Sequence, residues 1–142
     1  MRIAFLFPVA LAACAGAIQV GSPAPDPEPT IIGQGTDPTN RIVVYRPSEF
    51  GALTNVATTP ALTLNGDAVG TCRIGAPLVL RVPDGAWTIG AMTENGEVNQ
   101  VVSVANGAER YVRCGTEAAP SFGPKPILIP VSESVGEDEA GI

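Results

Sequence analysis

The stretch PLVLRVPDGAWTIGAMTENGEVNQVVSVANGAERYVRC, residues 77–114, alternates short apolar runs with turn dipeptides. Within each run the apolar residues recur at every second position, as in residues 78–82, which is the period of a strand with one buried face. The dipeptides at 84–85, 95–96 and 106–107 are Asp-Gly or Asn-Gly, which tight hairpin turns favour because these residues adopt positive φ readily. The stretch therefore predicts antiparallel strands joined by short turns.

The same pattern continues on both sides of this stretch. RIVVYR (41–46), ALTLN (61–65) and DAVGTCRI (67–74) have strand character, and Asn65-Gly66 marks a further hairpin. KPILIPV (125–131) is expected at a sheet edge, because its two prolines cannot donate ladder hydrogen bonds. Seven or eight short strands predict an all-β fold, a small antiparallel β-sandwich over residues 41–131, with Trp87 as its largest core side chain.

Composition argues against several functional classes. The chain of 142 residues has no His, which is the commonest general base and metal ligand. Lys125 is the single lysine and the net charge is −6, so a nucleic-acid partner is not expected. A hydrolase would have only Lys125 or a carboxylate to serve as its base. We therefore expect a protein that is not an enzyme and that holds no metal.

The first fourteen residues, MRIAFLFPVALAAC, combine Arg2 with an apolar run that ends at Cys14. As a helix this run would span about 16 Å, which is too short for a hydrocarbon core of about 30 Å. Small residues before the cysteine predict a signal peptide over residues 1–13. Leu-Ala-Ala-Cys resembles the lipobox of bacterial lipoproteins, which implies a diacylglycerol and an N-acyl chain on Cys14 and no other cofactor. An ordinary secretory signal with an incidental cysteine is the alternative.

The neighbouring residues predict the cellular location and the character of the two terminal segments. Ala15 after the cysteine resembles an outer-membrane sorting signal, so the protein is expected to be lipid-anchored at the bacterial outer membrane and to face the periplasm. Residues 14–40 contain alternating prolines from 23 to 29 and are predicted to form an extended tether. The acidic residues 132–142 lack core side chains and are predicted to be a disordered tail.

With Cys14 carrying lipid, Cys72 and Cys114 remain as an even pair in an oxidising compartment. Cys72 shares a strand face with Ile74, Cys114 shares one with Val112, and both faces are expected to point inward. A disulfide closing this long loop would contribute roughly 4 kcal/mol in the chain-entropy model. Two separately buried thiols are the alternative.

Four segments together resemble a known family. They are RIVVYRPS (41–48), LTLNGDAVGTCRIG (62–75), LRVPDGAWTI (80–89) and ANGAERYVRC (105–114). The set, with an NG-x-x-VG core and a P-x-G-x-W hairpin, resembles small bacterial lipoproteins that carry a domain of unknown function and PEGA-like or carboxypeptidase-regulatory-like sandwiches. The family usually has Pro-Pro-Gly at the hairpin, where Pro-Asp-Gly stands here. The resemblance implies a fold and a compartment but no activity.

Tyr45, Arg46 and Ser48 form a corner after the first strand that could serve as a binding corner and present Arg46 and Ser48 to a ligand, although a structural corner is the favoured interpretation. The sequence favours a non-enzymatic interaction or structural module of the envelope, whose loops or edge strand contact another envelope protein of unknown identity. A small inhibitor lipoprotein is the alternative function, since ANGAERY (105–111) is similar to the binding loop of small β-barrel lysozyme inhibitors.

Overall fold

The computed structural model describes residues 30–31, 38–48, 58–118 and 121–142. Its strands form two sheets that pack face to face, which confirms the predicted all-β sandwich. The elements are β1 Thr30–Ile31, β2 Asn40–Tyr45, β3 Ala61–Leu64, β4 Asp67–Thr71, β5 Leu78–Val82, β6 Gly85–Thr93, β7 Gly96–Val104, β8 Glu109–Glu117, β9 Lys125–Val131 and the helix α1 Glu133–Ala140.

The larger sheet has the strand order β1-β5-β2-β8-β9 and the smaller sheet has the order β4-β3-β6-β7. The Asn-Gly turns at 65–66 and 95–96 join β3 to β4 and β6 to β7 as hairpins, and Asn65 takes the positive φ of 51° that its turn requires. The turns at 84–85 and 106–107 instead connect β5 to β6 and β7 to β8, which lie in different sheets, so the prediction of hairpins at these two positions is wrong. Pairing is antiparallel except for β1 with β5 and β2 with β8, which are parallel. The proline-containing β9 lies at a sheet edge, as its sequence predicts.

One core fills the space between the sheets, and the alternating apolar residues of both sheets form it. The predicted inward residues Leu62, Leu64, Leu80 and Val82 are buried. Cys72 and Cys114 are also buried, and the disulfide between them connects the chain just after β4 to β8 in the other sheet. The bridge that the cysteine count favours is therefore present in the structure.

Two details of the predicted core are wrong. Ile74 is 41% exposed, because it lies beyond the end of β4 and forms only an isolated bridge to Arg46. Trp87 is only partly buried at the edge of the core, where its indole N–H donates to the carbonyl of Pro83 at 3.1 Å. The largest fully buried side chain is that of Tyr45, which lies outside the main core.

Asn40 joins three segments at one end of the sandwich. Its side-chain amide donates to the carbonyl of Val82 and to Oδ1 of Asp84, at 3.2 and 2.8 Å. Its Oδ1 accepts from the backbone N–H of Ala108 at 2.9 Å. A fully buried amide with all of these partners fixes where β2 begins.

The predicted tether over residues 14–40 is wrong at its C-terminal end. Thr30 and Ile31 pair with β5, and Asn40 belongs to β2, because the edge of β5 and the turn groups around Asn40 offer them hydrogen-bond partners. The signal peptide, Cys14 and the alternating prolines lie outside the described residues.

The acidic tail predicted to be disordered contains the helix α1. Ser132 occupies the N-cap position with an extended backbone, and Gly141 ends the helix in the left-handed conformation. Composition alone predicted disorder because the segment has no apolar stripe, whereas the helix is held by polar contacts and by one close glycine contact. No helix in the described ranges is long and apolar enough to cross a membrane.

Replacing both Cys72 and Cys114 with alanine is expected to lower the free energy of unfolding by about 3 to 4 kcal/mol, because the bridge restricts the unfolded chain. Urea unfolding followed by far-ultraviolet circular dichroism measures this. Reductant should cause a similar loss in the unaltered protein and none in the double variant. Equal stability of the two proteins under oxidising conditions would contradict the expectation.

Candidate functional site

The predicted binding corner is not presented to solvent. Tyr45 and Arg46 are 1% and 4% exposed, and Nη1 of Arg46 donates to the carbonyl of Thr58 at 2.9 Å. Burial lowers the pKa of the Arg46 guanidinium. Ser48 is exposed, so only one of the three corner residues faces outward. The arrangement fits the structural alternative, in which Arg46 holds the strand end to the following chain.

Tyr45 instead belongs to the outer face of the larger sheet. There, register places Val43 beside Tyr111 and Tyr45 beside Arg113, while Val79 of β5 lies on the other side of Val43. The two tyrosine rings pack edge to face with centroids 6.3 Å apart. We call this patch, formed by Val43, Tyr45, Val79, Tyr111 and Arg113, the tyrosine face.

The helix α1 covers the tyrosine face through three residues. A Cβ atom on Gly136 would lie 2.1 Å from Cγ of Tyr111, so only a glycine allows this close approach. Oε2 of Glu139 accepts from the hydroxyl of Tyr45 at 2.7 Å and from Nε of Arg113 at 2.9 Å. Nη2 of Arg113 donates to Oε1 of the same carboxylate, which completes a bidentate pair. Ala140 packs against the apolar part of the face.

These contacts set the titration behaviour of the groups involved. Burial, with a further contribution from Glu139, raises the pKa of Tyr45 to about 12. Burial, followed by the hydrogen bond to Glu109, also raises the pKa of Tyr111. The hydrogen bonds from Arg113 and Tyr45 hold the pKa of Glu139 below its ordinary value. At neutral pH the three groups between α1 and the sheet are therefore the anionic carboxylate of Glu139, the neutral phenol of Tyr45 and the guanidinium cation of Arg113.

On the same outer face of the larger sheet, charged side chains lie next to the tyrosine face and extend the site beyond α1. Nη1 of Arg41 donates to Oε2 of Glu109 at 2.9 Å, and Oε1 of Glu109 accepts from the hydroxyl of Tyr111 at 2.6 Å. Arg81 is the register neighbour of Arg41 on β5. A groove of about 370 Å³ lies between this end and the C-terminal end of α1, and Arg41, Val79 and Ile142 are among its lining residues.

A second surface is the free edge of β7 in the smaller sheet. Both backbone groups of Thr88 bond to Asn65: the N–H donates to Oδ1 at 2.9 Å, and the carbonyl accepts from the Asn65 N–H at 2.8 Å. Since the N–H and C=O of one residue lie on the same side of an antiparallel strand, Thr88 does not bond to Val101, its register partner. The backbone groups of Val101, and by alternation those of Asn99 and Ser103, therefore point away from β6.

A groove of about 230 Å³ runs beside this edge, where the two sheets meet. On one side it is lined by β7, including Val101 and Ser103, and on the other by β8 and by Pro130 and Val131 of β9. Val101 is 59% exposed. The backbone groups of β7 that point away from β6 thus lie next to apolar side chains.

The comparisons with known proteins leave the identity of this chain open: no family model, no curated protein and no solved structure matches it. The resemblance to small bacterial lipoproteins therefore stays a prediction. The described part of the chain contains no cluster of three acidic, cysteine or histidine side chains that would hold a metal ion. ANGAERY, compared above with an inhibitor loop, forms a turn and the start of β8, where Glu109 is paired with Arg41.

Sequence reasoning missed the tyrosine face, although one signal for it was available. In ERYVRC, Tyr111 and Arg113 alternate with the inward residues Val112 and Cys114, so they lie on the opposite face of the strand. A buried tyrosine on an outer sheet face needs a covering element. The acidic segment that follows β9 directly is a candidate for that element.

The contact between α1 and the sheet is expected to loosen in acid. Because the folded pKa of Glu139 is lowered, its stabilisation is present above its ordinary value of 4.5 and is lost as the pH falls through the lower folded value. The facing groups Arg113 and Tyr45 stay protonated over this range.

Nitrogen-15 NMR of the α1 amides and of the Arg113 side chain measures this loss. In the variant Glu133→Gln, which alters an exposed glutamate of the same helix, the transition should be unchanged, while Glu139→Gln should abolish it. A transition that persists in Glu139→Gln would assign the effect to another group.

Proposed function

We propose that the protein is a lipid-anchored module of the bacterial envelope that binds a short extended segment of another envelope protein along β7. It acts without catalysis, and the membrane attachment is the lipid on Cys14. The observation that carries this proposal is the edge of β7, whose backbone groups that point away from β6 are aligned beside a groove with apolar lining residues. One of these groups, the carbonyl of Val101, accepts from the side-chain amide of Gln100 at 3.0 Å, a contact that an incoming strand would replace. An added strand satisfies such groups with main-chain hydrogen bonds.

The other sheet edges are protected in the ways that proteins normally use against strand addition. The edge strand β9 contains two prolines, β5 is covered by β1, and β4 is short with a register shift where it pairs with β3. In contrast, β7 has nine residues, with neither a proline nor an irregularity in its pairing with β6. Among the described strands, this contrast marks β7 as the edge suited to a partner.

The lining of the groove indicates what kind of segment fits. Val101, Pro130 and Val131 offer apolar contacts, and Ser103, Arg110 and Tyr111 add polar groups to the lining. A segment that pairs with β7 would place every second side chain against Pro130 and Val131. The ligand class is therefore an extended peptide with alternating apolar residues.

Val101→Pro is expected to abolish binding at this edge while keeping the fold, because it removes an outward N–H that β6 does not use. The measurement is photocrosslinking in intact cells from a photoreactive residue at position 103, followed by identification of the attached protein. Val101→Thr is the matched control, since threonine keeps the N–H and the branched side chain.

The unaltered protein and Val101→Thr should give the same crosslinked partner, and Val101→Pro should reduce its yield about tenfold or more. The same probe at Met92, an exposed position near the end of the inner strand β6, gives the background. Equal yields from positions 92 and 103, or an unchanged yield in Val101→Pro, would contradict the proposal.

The anchor is tested by the intact mass of the protein extracted from membranes. We expect a chain that starts at Cys14 and carries two or three acyl chains, because a single chain holds a protein only marginally at a membrane. Reduction should add two hydrogen atoms to the mass, from the bridge between Cys72 and Cys114. Cys14→Ser should give a protein without acyl chains. An unacylated natural protein that is cut elsewhere would contradict the anchored model.

A further inference from the structure

The helix α1 is attached to the sheet by few contacts. It has eight residues, whereas isolated helices shorter than about 12 residues are marginal in water. Glu133, Glu137 and Asp138 are exposed, and Val135 is 40% exposed, so little apolar area is buried beneath the helix. The helix depends on the Gly136 contact, on the carboxylate of Glu139 and on Ala140. A competitor that reproduces these contacts and adds to them will displace it.

We propose that the tyrosine face is a receptor surface for an acidic helical segment of a partner protein, and that α1 occupies it until such a segment displaces it. Tyr111 and Val131 also line the groove beside β7, but the contacts of α1 lie on the outer face of the larger sheet, and the inference does not depend on the function proposed for the β7 edge. The contacts of α1 define the chemistry: a glycine that faces Tyr111, and a glutamate three residues later that binds Tyr45 and Arg113. Both residues lie on one side of a helix at this spacing.

The charge pattern favours an acidic partner. Arg41, Arg81 and Arg113 all belong to the outer face of the larger sheet, and Glu109 is the acidic residue paired with Arg41 there. A carboxylate between Tyr45 and Arg113 accepts charge-assisted hydrogen bonds, which are stronger than those of neutral pairs. An incoming helix with acidic residues therefore meets complementary charge.

The part of the site that α1 leaves unfilled suggests why a longer helix binds better. Nε of Arg41 is buried and has no hydrogen-bond partner among the described residues, and Arg41 lines the groove beside the C-terminal end of α1. The helix ends at Gly141, before its next turn enters this groove. A partner helix that continues for one more turn would place a second carboxylate near Arg41. The fitting segment is thus an acidic helix with glutamates three or four residues apart after its glycine.

The test uses the purified full chain and a synthetic peptide of about 16 residues, long enough to form helix. The peptide carries ESVGEDEA followed by a turn that contains a further glutamate. A control peptide has leucine in place of the glycine and glutamine in place of the glutamate that matches Glu139. Isothermal titration calorimetry measures both affinities.

Gly136→Ala should release α1, since the added methyl group overlaps the Tyr111 ring, and should raise the affinity for the first peptide about tenfold or more. Ser134→Ala, at an exposed position of the same helix, is the matched control and should bind like the unaltered protein. Because Gly136→Ala also changes packing, Glu139→Gln serves as a second variant that releases α1 without adding bulk. It should also raise the affinity for the first peptide. Adding Arg113→Met to Gly136→Ala should remove binding.

Three results would overturn the proposal. Equal affinity of the unaltered, Gly136→Ala and Glu139→Gln proteins would show that α1 is not a competitor. Equal binding of the control peptide would show that the glycine and the glutamate are not recognised. Concentration-dependent dimerisation of the unaltered protein that Gly136→Ala abolishes, measured by analytical ultracentrifugation, would identify a second copy of this chain as the occupant.

Discussion

The parallel pairing of β2 with β8 is the contact on which both faces of the larger sheet depend. The two strands are far apart in sequence, and their register sets Val44 beside Val112 on the inner face and Val43 beside Tyr111 on the outer face. A shift of one residue in either strand would exchange these faces, so the core and the tyrosine face are specified together. The disulfide at Cys114 adds a covalent constraint to the same strand. With β8 fixed in this way, β9 and α1 follow it along the chain.

Much of this fold could be predicted because its local signals agree with one another. The Asn-Gly turns and the period of two in residues 78–104 specify hairpins and inner faces without knowledge of distant contacts. The pairing of Cys72 with Cys114 was predicted because both lie on inward faces of strands and because two cysteines remain once Cys14 is set aside. The two prolines of β9 predicted that this strand lies at the edge of a sheet. Apart from the disulfide, the responsible physical effect acts within one strand or one turn.

The elements that the sequence did not predict are those held by contacts between distant segments. The helix α1 has no apolar stripe, and its position depends on a carboxylate meeting Tyr45 and Arg113, which are brought together only by the pairing of β2 with β8. Thr30 and Ile31 form a strand because the edge of β5 lies beside them. The favoured interpretation of the corner at Arg46 as structural fits the structure, but sequence does not reveal its partner, the carbonyl of Thr58. From composition alone, such segments are predicted to be disordered tails, because their distant contacts are not visible in the sequence.

The distribution of aromatic residues gives each sheet its own optical reporter. The chain has one tryptophan, Trp87, which lies in the smaller sheet with its indole held by the Pro83 carbonyl. Both tyrosines lie in the larger sheet beneath α1. Tryptophan emission will therefore follow events at the β6–β7 side of the sandwich, and tyrosine absorbance will follow the uncovering of the opposite surface. One unlabelled sample therefore carries a tryptophan signal from the smaller sheet and a tyrosine signal from the larger sheet.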